Sequence, residues 1–161
     1  MKILIIYGTK YGCTKKCAQL LKDRLLSNVT ILEATSCNLD LSQFDAIIIG
    51  GSVYMGKMRK EITRFIKRNK HILGQKRVGL FACCYTPTDA EGFLETIFPT
   101  DLLQHAVCAT TVGGEMDYQN MNFAYRKLFQ SLKKIEGFNE GFSEPSIRIN
   151  DIQRLADAIS K

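Results

Sequence analysis

Proline is scarce in this sequence, histidine is scarcer, and long apolar runs are missing. No stretch rich in proline, glycine or serine divides the 161 residues, so we predict one domain over residues 1–161. The two histidines, His71 and His105, stand alone, which argues against a histidine-based metal site. The amino-terminal segment has an apolar run of only four residues before Tyr7, far short of the roughly 20 that span a bilayer. We therefore expect a cytoplasmic protein.

Cysteine, by contrast, is well represented, at positions 13, 17, 37, 83, 84 and 108. In a chain of this length, with periodic apolar segments and no export signal, these residues indicate reduced thiols rather than a disulfide scaffold. A structural zinc site is disfavoured because Cys13 and Cys17 lack a second pair of ligands at the usual spacing. Cys83 and Cys84 are interpreted as small core or loop residues, with a catalytic thiol as the alternative.

Positive charge is concentrated in one stretch. The formal net charge is +6, and from Lys57 to Arg77 nine lysines and arginines accompany a single acid, Glu61. Such a stretch favours an acidic partner, an anionic membrane surface or nucleic acid, and the alternative is an ordinary solvated helix face. Nucleic acid ranks last among these partners because the sequence has no base-reading motif and no aromatic stacking platform.

Short β-branched runs alternate with helix-like stretches along the chain. Most of the runs are apolar on both faces, which is typical of a parallel sheet covered by helices on each side. Five strands are predicted, at Lys2–Tyr7, Val29–Glu33, Ala46–Gly50, Arg77–Cys83 and Ala106–Val112. Amphipathic helices are predicted at Thr14–Leu26, Arg59–Asn69, Phe123–Lys133 and Asp151–Ile159, the last capped by Asn150 or Asp151. Residues 36–45 fit either a short helix or a packed loop.

This alternation predicts a doubly wound α/β sheet, in which ligands lie beyond the carboxyl ends of the strands. The loop after the first strand, residues 8–14 (GTKYGCT), joins a buried strand directly to an amphipathic helix. Its two glycines permit tight turns, while Thr9, Tyr11 and Thr14 supply hydroxyl groups. Unpaired N–H groups, the helix dipole and these hydroxyls converge on one anion. The segment therefore predicts a phosphate cradle, with a plain helix start over an empty loop as the alternative.

The sequence motifs of other phosphate-binding proteins do not match this sequence. A dinucleotide fingerprint needs G-x-G-x-x-G, and the glycines here are wrongly spaced. A low-molecular-weight phosphatase needs arginine six residues after a cysteine, where Gln19 and Asp89 stand. A receiver domain needs an aspartate ending the third strand, where this chain has glycine. The segment Gly51–Met58 approaches a P-loop, but Met58 replaces the hydroxyl residue that would hold magnesium.

The cradle resembles the phosphate loop of flavodoxins. The family pattern [ST]-x-[TY]-G-x-T is carried by Thr9, Tyr11, Gly12 and Thr14, with Lys10 and Cys13 in the variable places. The resemblance spans essentially the whole chain. It implies a flavodoxin-like three-layer sandwich, a five-stranded parallel sheet in the order 2-1-3-4-5, and non-covalently bound FMN with its phosphate in the cradle. It also implies electron transfer through that flavin.

In this family the loop after the third strand lies against one side of the flavin ring. Here the loop comprises Ser52, Val53, Tyr54, Met55, Gly56 and Lys57. Tyr54 and Met55 offer an aromatic ring and a thioether that can pack on a flat heterocycle, and ordinary surface-loop residues are the alternative. Some short flavodoxins carry a Met-Gly pair at a matching place. If Met55-Gly56 corresponds to that pair, the Gly56 peptide turns to hydrogen-bond the protonated flavin N5.

The loop after the fourth strand is implied to lie on the other side of the ring. Tyr85 is the candidate for the opposite ring face, and backbone amides from Cys84 to Thr86 would meet the pyrimidine edge. After the fifth strand, Gly113 and Gly114 would let the backbone approach the ring, but a plain turn explains them equally well. No residue of that last loop is assigned.

Within the family, the basic charge and the segment GGSVYMGKMRKEITRFIKRN are most similar to flavodoxin-domain proteins related to the quinone-dependent protoporphyrinogen oxidase. Bacterial members of that group carry a longer basic insertion, whereas residues 85–103 here are short and contain four acids. Flavin electron transfer is therefore the leading interpretation, with a redox partner protein or a quinone-type small molecule as partner. The alternatives are a protoporphyrinogen oxidase-like enzyme and a non-redox basic module. Residues 57–77 would provide a surface for an acidic partner or for peripheral membrane contact.

Overall fold

A parallel sheet forms the centre of the protein. A computed structural model describes residues 1–36, 39–86, 90–115, 123–132 and 146–161. Within them, the strands are β1 (Lys2–Gly8), β2 (Asn28–Glu33), β3 (Ala46–Tyr54), β4 (Lys57–Met58), β5 (Arg77–Cys83) and β6 (Cys108–Thr111). Five run parallel in the order β2-β1-β3-β5-β6, and β4 pairs antiparallel with the end of β3. Counted over the parallel strands this order is 2-1-3-4-5, which confirms the predicted flavodoxin-like fold class.

Helices cover both faces of this sheet. They are α1 (Cys13–Lys22), α2 (Lys60–Arg68), α3 (Lys70–Leu73), α4 (Phe93–Ile97), α5 (Thr100–His105), α6 (Phe123–Leu132) and α7 (Ile149–Ser160). The four predicted helices are confirmed, although α1 ends four residues before its predicted end because the chain turns at residues 23–24. Residues 34–36 and 41–43 form single 3-10 turns, so the segment around them is a packed loop. Position 133, the predicted end of the third of these helices, lies outside the described residues, as do Cys37 and loop residues 87–89 and 116–118.

The predicted cap of α7 is wrong. The helix begins at Ile149, so Asn150 and Asp151 lie inside its first turn rather than before it. Arg148 is the residue before the helix, and its guanidinium donates to the Thr111 carbonyl at 3.0 Å and to the Asp151 carboxylate at 2.7 Å. These contacts hold Arg148 in an extended conformation at the end of β6, and the helix starts directly after it.

The core divides into two layers because alternate strand residues point to opposite faces of the sheet. Leu4 and Ile6 of β1 face the apolar side of α2, where Ile62, Phe65 and Ile66 are buried. Ile3 and Ile5 face α1 and α7, whose buried residues are Cys17, Ala18, Leu21, Ile152, Leu155, Ala156 and Ile159. The result is a three-layer α/β/α sandwich. In such a fold ligands bind at the loops that follow the carboxyl ends of the strands.

Candidate functional site

The carboxyl ends of the parallel strands bring the predicted loops to one edge of the sheet. Gly8 of β1 pairs with Gly51 of β3, and Ser52 pairs with Cys83 of β5. The phosphate-loop segment, the end of β3 and the loop after β5 therefore lie side by side. Ligands of doubly wound sheets bind at this kind of edge, between the neighbouring strands β1 and β3 where the strand order reverses.

The cradle is built on a left-handed glycine. Gly12 has φ +89°, stands immediately before α1, and receives no side-chain cap. Its N–H donates to Thr9 Oγ1 at 3.0 Å, and its carbonyl accepts from the Lys16 N–H at 3.1 Å. The first-turn amides of residues 13–15 have no partner inside the helix because a helix offers its first N–H groups no carbonyl. A Cβ at Gly12 would meet no atom within 4 Å, so the turn opens onto free space.

Two buried hydroxyls beside this turn lack hydrogen-bond partners among the described residues. Thr14 is 0% exposed and Ser52 is 6% exposed, and neither side-chain oxygen has a partner. An unsatisfied buried hydroxyl costs on the order of 1–3 kcal/mol, and most buried polar groups avoid that cost. Such groups recur where a ligand supplies the missing partner. Thr14 is one of the residues predicted to hold the phosphate, so its orphaned hydroxyl fits that role.

The predicted loop after the third strand is instead a β-hairpin. Strand β3 continues through Tyr54, and the Val53–Met58 and Tyr54–Lys57 pairs close the hairpin. Met55 (φ 48°) and Gly56 (φ 72°) form its two-residue tip, and left-handed φ at both positions is typical of a type I′ turn. A Gly-Ser sequence normally marks the end of a strand. Here Gly51 stays in the strand, paired with Gly8 on one side and Ala82 on the other, and the Met58 side chain occupies the space of its missing Cβ, 2.3 Å from where that atom would be.

The predicted ring-contact residues of the hairpin differ in how far they are exposed. Val53 is half-buried and packs against the core on the α2 side. Met55 projects from the tip and is 86% exposed. Gly56 has open space around it. The exposed Met55 at the tip and the half-buried Tyr54 before it are therefore the side chains of this segment that can lie against a flat ring.

An aromatic and cationic cluster connects the cradle to the hairpin. The rings of Tyr11 and Tyr54 meet edge to face, with centroids 5.9 Å apart and planes at 72°. The Lys10 ammonium lies 5.0 Å from the centre of the Tyr11 ring and 5.4 Å from that of Tyr54. Burial, followed by the Coulombic effect of Tyr11, raises the pKa of Tyr54 to about 12. Beside this cluster, a cavity of about 370 Å³ opens between Lys10, Tyr54 and residues 57–61.

The loop after β5 presents one aromatic side chain to solvent. Tyr85 is 59% exposed, as a residue covering a ring face would have to be before its ligand binds. The half-buried Cys84 thiol donates to the Thr86 carbonyl at 3.7 Å, and burial raises its pKa. A raised pKa disfavours the thiolate, which argues against a catalytic thiol at Cys84. After β6, Gly113 (φ 72°) is explained by a close backbone approach, since its Cβ would lie 2.1 Å from the Ser146 carbonyl oxygen.

Sequence reasoning missed a cluster of three thiols under the cradle. The Sγ atoms of Cys13, Cys17 and Cys83 all lie within 4.8 Å of one another, and Cys83 Sγ is 3.6 Å from Cys17 Sγ. Hydrogen bonds from Cys17 and Cys83 lower the pKa of the Cys13 thiol, while those with Cys13 raise the pKa of the other two. The four-residue spacing of Cys13 and Cys17 was visible in the sequence. The third member was not, because only the fold brings the end of β5 beside α1.

A larger cavity of about 710 Å³ lies away from this edge. It is lined by α2, α3, α5 and the Gly74–Gln75 turn that precedes β5. That turn lies at the amino ends of the strands, so this cavity is not the predicted flavin site.

Among the helices of the described ranges, none is long and apolar enough to cross a membrane.

Comparison with known proteins agrees with this architecture. The model of the flavodoxin domain family matches residues 4–141. A search of curated proteins returned no match. Among solved structures, reduced flavodoxin from Megasphaera elsdenii superimposes with a TM-score of 0.59 at 12% identity, covering 98% of both chains. A flavoprotein from Lactobacillus acidophilus, solved in complex with FMN, gives a TM-score of 0.55 at 17% identity, covering 68% of this chain and 92% of that one.

A longer structural neighbour contains the same fold. Rubredoxin oxygen:oxidoreductase from Desulfovibrio gigas superimposes with a TM-score of 0.54 at 15% identity. The match covers 98% of this chain, but the chain spans only 36% of that enzyme. Identities of 12–17% show a shared fold and nothing beyond it. Membership of the family is shown instead by the family match, which covers residues 4–141. The chain therefore belongs to the flavodoxin family, in which electron transfer runs through a flavin.

Proposed function

We propose that this chain binds FMN without covalent attachment and transfers electrons through it. The observation that carries the proposal is the uncapped start of α1 at Gly12, with the orphaned Thr14 hydroxyl beside it. A helix N-terminus with unpaired amides and a hydroxyl donor favours a phosphate. Its place between β1 and β3 is the switch point at which flavodoxin-like sheets bind FMN. The FMN complex of the Lactobacillus acidophilus flavoprotein supports the same ligand.

The chain's own residues divide the work of binding. Amides of residues 13–15 and the hydroxyls of Thr9 and Thr14 would hold the phosphate, while Tyr11 supports Tyr54 from the cradle side. The hairpin tip would lie on one side of the ring and Tyr85 on the other, with backbone amides of residues 84–86 at the pyrimidine edge. FMN supplies the redox chemistry when bound, and the protein supplies orientation and electrostatics.

The electrostatics of this edge favour an anionic ligand. The Lys10 ammonium stands over both tyrosine rings, and the adjacent cavity is bordered by Lys57, Arg59 and Lys60. Glu61 is the single acid in that lining, and it is paired with Arg59 at 2.7 Å. The net positive potential attracts negative charge and so assists phosphate binding.

The basic stretch is proposed to receive an electron-transfer partner with an acidic surface. Several of its cations are committed within the protein: Arg59 pairs with Glu61, Lys70 pairs with Asp101 at 2.8 Å, and Lys76 donates to a main-chain carbonyl. Exposed cations without an ion pair among the described residues follow one another along α2, at Lys60, Arg64, Lys67 and Arg68. A charged face of this kind increases association rates with an oppositely charged protein, and raising the salt concentration weakens that effect.

The test of FMN binding compares two ligands that differ only in the phosphate. Full-length protein is titrated with FMN and with riboflavin, following the quenching of flavin fluorescence. Each charge-assisted hydrogen bond contributes about 1.5–3 kcal/mol, so loss of two of them predicts riboflavin affinity at least about 100-fold lower. Equal affinity for the two flavins would contradict the cradle, and no affinity for FMN would contradict the redox function.

The two alternatives make different predictions. A non-redox basic module predicts a protein that does not bind flavin and binds anionic lipid or nucleic acid in a salt-dependent way. A quinone-linked protoporphyrinogen oxidase-like enzyme predicts quinone-dependent turnover in the presence of membranes. Neither the described site nor the structural neighbours favour this oxidase-like enzyme. It stays a prediction from the basic charge of the sequence.

A further inference from the structure

The three thiols under the cradle come from two elements that the fold fixes against each other. Cys13 and Cys17 are one helical turn apart on the inward side of α1, and Cys83 is the last residue of β5. Cys17 and Cys83 are buried, whereas Cys13 is partly exposed. The cluster therefore has a closed side in the core and an accessible side at the loop that contains Cys13.

The grouping of three sulfur atoms suits a shared metal ion better than a disulfide, which would join two of them and leave the third unpaired. Cys17 and Cys83 are 3.6 Å apart, a separation of reduced thiols in contact. A tetrahedral zinc site with Zn–S bonds of about 2.3 Å places its sulfur atoms about 3.8 Å apart. All three sulfur atoms lie within 4.8 Å of one another, so small side-chain rotations would bring them onto one ion.

We propose that Cys13, Cys17 and Cys83 form a binding site for one thiophilic divalent metal ion of the zinc class. The three thiols would each lose a proton to solvent and bind as thiolates, and a water molecule would complete the tetrahedron on the exposed side of Cys13. Three thiolates and a divalent cation carry one net negative charge. That charge would lie at the amino-terminal end of α1, where the helix dipole favours it.

The surroundings of Cys13 resemble the outer shell of a metal ligand. The Glu115 N–H donates to Cys13 Sγ at 3.3 Å, which orients the sulfur. The Glu115 carboxylate also pairs with Lys16 Nζ of α1 at 2.8 Å, on the surface beside Cys13. Cys84 follows Cys83 in the sequence but is not part of the cluster, and its thiol donates to the Thr86 carbonyl.

The experiment measures metal binding directly on the full chain. Reduced protein is titrated with Co²⁺ and Zn²⁺ in a non-thiol reductant, and a Co²⁺ complex with the intense thiolate-to-metal absorption bands is expected at one equivalent. Cys13→Ser is the test variant because Cys13 is the partly exposed ligand, and Cys84→Ser, also half-buried, is the matched control. We expect Cys13→Ser to weaken Zn²⁺ binding by more than the roughly 10- to 100-fold that loss of an outer-shell partner costs, and Cys84→Ser to bind like the wild type.

A second measurement needs no variant. X-ray absorption of the zinc-loaded wild-type protein should show three sulfur ligands at about 2.3 Å. Failure of the wild type to bind one equivalent, fewer than three sulfur ligands, or unchanged affinity in Cys13→Ser would overturn the proposal. Because the readout is the metal itself, failure to bind metal would leave the proposal of FMN binding untouched.

Discussion

The left-handed turn at Gly12 allows a quantitative test of the phosphate cradle. Replacing Gly12 by alanine introduces a Cβ that meets no atom within 4 Å, so no steric clash contributes. The cost is that of holding a non-glycine residue at φ +89°, about 1–2 kcal/mol. In the flavin-free protein the turn can relax and avoid this cost, whereas phosphate binding requires the turn to be restored. The expected loss of FMN affinity is therefore about 5- to 30-fold.

A graded series and a matched control separate this effect from general damage. Asparagine tolerates the left-handed region better than other non-glycine residues, so Gly12→Asn should bind FMN more tightly than Gly12→Ala, and the β-branched Gly12→Val should bind most weakly. Gly92, before α4, has φ +69° and equally open surroundings but is not a predicted flavin contact. Gly92→Ala should bind FMN as tightly as the wild type, because the turn at Gly92 does not have to be restored for the phosphate to bind.

The assay is a fluorescence titration of each variant with FMN at one fixed salt concentration, accompanied by urea unfolding of the flavin-free protein. The reasoning would be refuted if folded Gly12→Ala and Gly12→Val bound FMN as tightly as the wild type. It would also be refuted if Gly92→Ala lost as much affinity as Gly12→Ala, because the effect would then not be specific to the cradle.

Three further predictions follow from the same edge of the sheet. Thr14→Val removes a buried hydroxyl without a partner, so the free energy of unfolding of the flavin-free protein in urea should rise by about 1 kcal/mol. FMN affinity measured by titration should fall about 10- to 100-fold. A lower free energy of unfolding would contradict this reasoning. Met55→Asn places a residue suited to left-handed φ before Gly56 and should stabilise the hairpin by about 1 kcal/mol in the same unfolding assay, whereas Met55→Val should destabilise it. Burial raises the pKa of Tyr54 to about 12 and also raises the pKa of Tyr7, so ultraviolet titration should show late tyrosinate steps, and Tyr54→Phe should lose amplitude in that late part of the curve. A loss of amplitude near pH 10 instead, the ordinary tyrosine range, would count against the burial of the Tyr54 ring.

The sequence was most informative where an element is long and its apolar pattern is regular. The β1 run and the amphipathic face of α2 each bury residues at the spacing that their secondary structure requires. The order of the strands followed from the flavodoxin resemblance, whereas the phosphate cradle was predicted from residues 8–14 themselves and stays a prediction. The helices α3, α4 and α5 were not predicted, because four to six residues do not complete enough turns for a periodic pattern to emerge.

The remaining differences arise from contacts between residues far apart in sequence. The extension of β3 into a hairpin brings Met58 over Gly51, which has no Cβ to obstruct it, and neither residue alone indicates this contact. The start of α7 is set by Arg148 binding to the end of β6 rather than by a polar cap. The thiol cluster needs β5 to lie beside α1. In each case the deciding partner is visible only after the chain has folded.

The covering of the first strand by α7 has a consequence for how the protein folds. Ile3 and Ile5 share one buried cluster with Ile152, Leu155 and Ile159 of α7, although about 150 residues separate them in the sequence. A polypeptide in which α7 is undocked exposes part of this apolar face to water. The sandwich is therefore complete only when this contact of long sequence separation has formed, a step that slows folding because loop-closure entropy must be overcome first.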